Sequence, residues 1–155
     1  MFKVSFAKTE NLPLISEYEH DNFMGEAYSL DYLSEIIKDN YILKDNDNIF
    51  TINIEDEVVG YIIFHISKDF TDIYKIYIRE KNRRNGYGKE LIKEVEKMAK
   101  RFNSSKLMIE VRSKNDNAIN FYKKLGYKKI SVRNDYYQNP SDDAIIFEKL
   151  IGDVC

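Results

Sequence analysis

Cysteine is nearly absent: the 155-residue sequence has one, Cys155, in the last position. A lone thiol excludes an intrachain disulfide framework and any cysteine-based metal cluster. Long apolar runs are missing too, with nothing near the roughly 18 residues of a membrane span. Met1-Phe2-Lys3-Val4-Ser5 lacks the apolar stretch of a secretory leader, so a cytoplasmic protein with no membrane partner and no metal is expected. No Pro/Gly/Ser-rich linker, low-complexity tract or internal repeat interrupts the chain, and Gly and Pro number only 6 and 2. What is present is ordinary for a globular protein: 43% hydrophobic and 32% charged residues, in a length that suits one domain over 1–155.

The net charge of −2 hides an asymmetry. Residues 1–72 carry 5 Lys/Arg against 15 Asp/Glu, and residues 73–155 carry 19 against 11. A basic half suits a polyanionic ligand, and an acidic half would draw a cationic amine or basic peptide. Two solvated faces would give the same count. Nucleic acid is not an expected partner, because the basic residues lie mostly along one helix, interleaved with Glu90, Glu94 and Glu96.

Periodicity predicts strands at Phe2–Ala7, Ile49–Ile54, Val58–Ser67, Ile73–Arg79, Leu107–Val111, Tyr127–Val132 and Ala144–Leu150. It predicts helices over Pro13–Asn22, Leu30–Asp39, from near Lys89 onward, and Asn115–Leu125. The acidic turn Glu55-Asp56-Glu57 implies a hairpin. Strands first grouped and then alternating with helices indicate a mixed α/β sheet.

Arg83-Arg84-Asn85-Gly86-Tyr87-Gly88 follows the Ile73–Ile78 run and opens into a helix with Leu91, Ile92, Val95, Met98, Ala99 and Phe102 on one face. Free backbone N–H groups and the helix dipole make such a start an anion seat. Gly86 and Gly88 remove Cβ atoms from its approach, and Arg83, Arg84 and Lys89 add charge. Gly88 is followed by Lys89-Glu90, so the Mg-nucleotide P-loop is absent, and Leu91 stands where a dinucleotide fingerprint needs its third glycine. An ordinary strand-to-helix turn would also carry two glycines.

The remaining pattern, Arg-x-x-Gly-x-Gly, resembles the pyrophosphate loop of the GNAT N-acetyltransferases. The run Ile109-Glu110-Val111-Arg112, Asn115, Ala118, Phe121-Tyr122, Gly126-Tyr127 resembles the second half of the same core. The tail Arg133-Asn134-Asp135-Tyr136-Tyr137 and Asp143-Ala144-Ile145-Ile146 is similar to the RimI type, which acetylates the N-terminal alanine of a ribosomal protein. The resemblance spans about residues 73–148. It implies a GNAT fold: a mixed, mostly antiparallel sheet of about seven strands flanked by about four helices. It implies acetyl-CoA as cofactor, held by Arg83, Arg84, Asn85, Gly86, Tyr87, Gly88 and Lys89. The backbone of Ile76, Tyr77 and Ile78 would pair with the pantetheine arm, which Asn115 and Tyr122 would also touch. Asn115 also reads as a plain helix N-cap.

Acetyl transfer to an amine needs a base for the ammonium and a donor for the leaving thiolate. Glu110 is the candidate base, on a strand face with Met108 and Arg112, where partial burial would raise a carboxylate pKa. Its structural alternative is an ion pair with Arg112. Tyr122 is the candidate acid by resemblance, and a core aromatic otherwise. Tyr136 and Tyr137, expected in a loop before Asn139-Pro140, offer a peptide-site element in Tyr137 or a hydrophobic anchor. His20 and His65 have no acidic partner at useful spacing, and His65 is expected to be structural.

One segment departs from the RimI pattern. Met24-Gly25-Glu26-Ala27-Tyr28-Ser29 stands where that type carries a Pro-Trp pair. The expected activity is N-acetyl transfer to a protein N-terminus. A polyamine-type acetyltransferase and a non-catalytic acyl-CoA-binding module are the alternatives.

Overall fold

A computed structural model describes residues 1–23, 26–38, 46–67 and 69–151. Within them the chain runs β1 (Phe2–Phe6), α1 (Leu12–Asn22), α2 (Leu30–Ile37), β2 (Asp47–Ile54), β3 (Glu57–Ile66) and β4 (Thr71–Ile78). Then follow α3 (Tyr87–Arg101), β5 (Lys106–Arg112), α4 (Asp116–Lys124), β6 (Lys128–Tyr137) and β7 (Asp142–Leu150). The strands form one sheet in the order β1-β2-β3-β4-β5-β7-β6, antiparallel throughout except for β4 beside β5. This is the mixed, mostly antiparallel seven-stranded sheet with four α-helices that the sequence led us to expect.

The period of two in β2 and β3 distributes two cores between the sheet faces. Phe50, Ile52, Ile62 and Phe64 pack with Leu91, Ile92, Val95 and Ala99 of α3 and with Tyr122 of α4. Their neighbours Ile49, Tyr61 and Ile63 pack with Leu12 and Ile15 of α1 and with Leu33 and Ile37 of α2. Buried on both faces, β3 reads as an unbroken apolar run.

Helix boundaries follow local chemistry. The Asn115 side chain accepts the Ala118 N–H at 3.1 Å and so caps α4, which ends before Gly126 at φ 94. Helix α3 begins at Tyr87, two residues before the expected start, with Gly86 as its N-cap at φ 82. The expected end of α2 at Asp39, and Cys155, lie outside the described residues.

β6 corrects the sequence reading. It extends to Tyr137, which pairs with Asp142, so Tyr136 and Tyr137 stand on a strand instead of in a loop. An exposed edge strand need not alternate apolar and polar residues, and irregular pairing between Arg133 and Tyr137, with Asp135 at φ 52, masks it further.

A candidate acyl-transfer cleft between two parting strands

The parallel ladder of β4 and β5 lasts three residue pairs, from Thr71↔Leu107 to Ile73↔Ile109. The next residue, Tyr74, has no partner on β3, where Phe64 faces Ile73 and Ile63 faces Lys75. An extra residue of this kind bends a strand and increases its twist. Beyond the bulge β4 keeps its pairing with β3 and leaves β5. The gap is a cleft of about 360 Å³ whose lining includes Tyr74, Lys75, Ile76, Glu110, Arg112, Asn115, Tyr122 and Tyr137.

At one end of this gap stands the loop before α3. Ile76, Tyr77 and Ile78 pair with Ile62, Tyr61 and Gly60 of β3, and the β5 ladder has already stopped on their other side. Gly60 lets this part of β4 lie close, since a Cβ there would sit 2.6 Å from the Tyr77 carbonyl oxygen. The sequence reading overlooked it. Arg83 turns back, its Nε donating to the Ile78 carbonyl at 2.7 Å and its guanidinium 5.5 Å from the Tyr77 ring. The Asn85 amide donates to the carbonyls of Asn82 and Arg83 at 3.0 and 3.1 Å. Both side chains brace the loop. Tyr87 packs edge-on against Phe2 at 6.0 Å, while Arg84, at φ 64, and Lys89 are exposed.

The two glycines differ. A Cβ on Gly86 would meet nothing within 4 Å, leaving an open approach to an α3 start that no side chain caps. On Gly88 it would lie 3.1 Å from the Phe121 ring, so this glycine admits α4 to the helix. The first therefore fits the expectation of an open backbone, and the second serves packing.

Tyr122 projects from α4 into the base of the gap. Its side chain is 1% exposed, and its hydroxyl is the one buried side-chain polar atom among the described residues without a hydrogen-bond partner. Burial pushes its pKa upward. An orphaned buried hydroxyl is costly to folding and calls for an explanation.

Glu110 enters the same cleft from β5. Its carboxylate lies 3.3 Å from Arg133 with about a third of the side chain exposed. Arg112, the partner suggested by strand spacing, instead pairs with Glu26 at 2.6 Å. The Glu110 carboxylate beside Tyr136, then burial, raises the tyrosine pKa. Asp72 is raised by burial and by the Glu110 charge.

Several residues here gave no signal in the sequence. Glu19, fully buried on α1, accepts from Lys75 at 2.7 Å, from the Tyr28 N–H at 3.0 Å and from the Tyr61 hydroxyl. The Lys75 ammonium also lies over the rings of Phe23 and Tyr28, at 4.5 and 4.4 Å. These contacts fasten the segment after α1 against β4. Met24 and Gly25, two of the six residues that stand in place of the RimI Pro-Trp pair, lie outside the described residues. His65 does have an acidic partner: its Nδ1 is 2.7 Å from Asp47, which also accepts from Tyr32 at 2.5 Å. The pair is 18 positions apart in sequence and meets through the β2–β3 register, Asp47 opposite His65.

The profile of the acetyltransferase (GNAT) family matches residues 12–127, well over half of the chain. The chain belongs to the GNAT family. An N-alpha-acetyltransferase of Sulfurisphaera tokodaii is 34% identical over 106 residues, 60% of this chain and 64% of that protein. The chain thus spans just under two thirds of that relative's length. A Bacillus subtilis protein named for ribosomal protein bS18-alanine N-acetylation is 24% identical over 139 residues, covering 90% and 89% of the two chains. The ribosomal-protein-S18-alanine N-acetyltransferase of Escherichia coli superposes with a TM-score of 0.83 at 22% identity, covering 100% of this chain and 97% of the other.

The reaction class of the GNAT family is acyl transfer, and its donor is acetyl-CoA. The residues fit that donor. The uncapped start of α3 beside an unobstructed Gly86 suits a pyrophosphate, the parted edge of β4 suits amide groups of an extended arm, and the Tyr122 hydroxyl awaits a polar partner.

Proposed function

We propose that this protein transfers the acetyl group of acetyl-CoA to the α-amine at a protein N-terminus. The loop from Arg83 to Lys89 would hold the pyrophosphate through backbone N–H groups, and Ile76, Tyr77, Ile78 and Asn115 would align the arm. Bound acetyl-CoA supplies the acetyl group as a thioester and departs as a thiol. Glu110, with part of its carboxylate open to the cleft, takes a proton from the acceptor ammonium. The Tyr122 hydroxyl, kept protonated by its burial, would hold a proton for the leaving group. The observation that carries the reading is the orphaned Tyr122 hydroxyl, in a cleft that also receives Glu110.

The acceptor follows from proton chemistry. An α-amine, with a pKa of about 8 against about 10.4 for lysine, is roughly 3 kcal/mol easier to deprotonate, within reach of one carboxylate. Tyr137 lines the cleft beside Glu110 and would contact the peptide. Glu110 and Glu26 line the cleft, each paired with an arginine that a basic second residue or a polyamine would compete with. The relatives named above make a ribosomal-protein N-terminus the first acceptor to try. Purified protein with acetyl-CoA should acetylate a peptide beginning Ala-Arg at its α-amine, and more weakly one with Glu in second place. Mass spectrometry that found acetyl groups only on lysine side chains would refute the reading, while modification of spermidine alone would favour the small-amine alternative. No turnover on any acceptor would favour the binding module.

A further inference from the structure

Arg112 closes the cleft from β5 and has no part in the chemistry above. Its Nη2 donates to Glu26 at 2.6 Å, and its Nη1 donates to the Pro140 carbonyl at 2.8 Å. The guanidinium lies 4.2 Å over the Tyr137 ring, and the side chain is only 23% exposed. Glu26 belongs to the segment between α1 and α2, and Tyr137 and Pro140 to the β6–β7 hairpin. One planar cation therefore ties together two segments that both line the cleft and that approach it from distant parts of the chain. Arg112 also stands two residues beyond Glu110 on the same strand face.

We infer that Arg112 is a positioning residue for the acceptor: its clasp on Glu26, Pro140 and Tyr137 sets the shape of the acceptor mouth beside Glu110. The geometry favours arginine specifically, because its planar fork serves two acceptors while its face stacks on a ring, and lysine offers only a point charge. The donor's loop makes no contact with the clasp. Loosening it should therefore weaken binding of the acceptor uniformly, raising its KM with little change in kcat.

This inference rests on the acceptor entering beside Glu110, as proposed above. The test compares the intact wild-type protein with Arg112→Gln, Arg112→Lys and Glu26→Gln, on the Ala-Arg peptide or on spermidine if the wild-type protein prefers it. That preference would defeat the N-terminal reading yet still decide the clasp. Arg112→Gln should raise acceptor KM about tenfold, the size of a lost charge-assisted hydrogen bond. Acetyl-CoA affinity should stay at the wild-type value. Glu26→Gln should shift KM the same way, the double variant should lose no more than the worse single one, and Arg112→Lys should recover only part of the loss. Should Arg112→Gln fail to fold, the Glu26→Gln comparison decides. Unchanged acceptor KM in Glu26→Gln and any folded Arg112→Gln protein, or acetyl-CoA affinity falling in step with acceptor affinity, overturns the inference.

Discussion

Toward α3 lies one stretch of chain, Ile76 to Lys89, and what it offers is mostly backbone: the parted edge of β4 and the uncapped start of a helix. At the Glu110 end the cleft is lined by side chains from four segments: Glu26 after α1, Lys75 on β4, Glu110 and Arg112 on β5, and Tyr137 and Pro140 at the β6–β7 hairpin. The difference matches what each end would recognise. A pyrophosphate and an amide-bearing arm do not vary, and fixed backbone dipoles serve them. An acceptor varies between enzymes, and a site built of side chains would suit it.

If the two ends are separable, substitutions should divide between them. Glu110→Gln should lower kcat by about 10²- to 10⁴-fold, the usual range for a lost general base, and flatten the acidic limb of the pH–rate profile while donor affinity holds. Gly86→Val should do the reverse. At φ 82 a β-branched residue is strained, so the loop must shift and acetyl-CoA affinity should fall by about tenfold or more in calorimetric titration. Equal effects of both variants on both quantities would merge the two ends into one.

A smaller effect concerns charge at the Glu110 end. Burial and the neighbouring Glu110 raise the pKa of Asp72 above its unfolded value, so the folded state favours the protonated acid. The associated stability is present below the unfolded carboxylate range and is lost as pH rises through the folded pKa. Asp72→Asn should therefore raise Tm by a few degrees around pH 7 and leave it nearly unchanged at about pH 3. A thermal melt showing loss of stability at neutral pH would mean that Asp72 is held by partners stronger than its burial.

The contrast also explains what could be read before the structure. Local signals carried the α3 end: two glycines before an amphipathic helix, and an asparagine three residues before the N–H it caps. They carried the strand with Glu110 and the helix with Tyr122 as well. The bulge at Tyr74 that opens the cleft left no mark, since a one-residue slip in pairing changes no composition. Lys75 and Glu19 are 56 positions apart and Arg112 and Glu26 are 86 apart, so no local pattern could pair them. The end of β6 was missed because edge position leaves its residues exposed on both faces, without the alternation of a half-buried strand.

The central claim is that the unpartnered Tyr122 hydroxyl is kept for the reaction and contributes nothing to the fold. Tyr122→Phe, measured by single-turnover acetyl transfer together with calorimetric titration of acetyl-CoA and a thermal melt, tests it most directly. Removing an unsatisfied buried hydroxyl should leave the protein at least as stable, keep donor affinity close to wild type, and slow transfer by about 10²- to 10⁴-fold. Transfer at the wild-type rate, or a loss of rate matched by an equal loss of donor affinity, would contradict it.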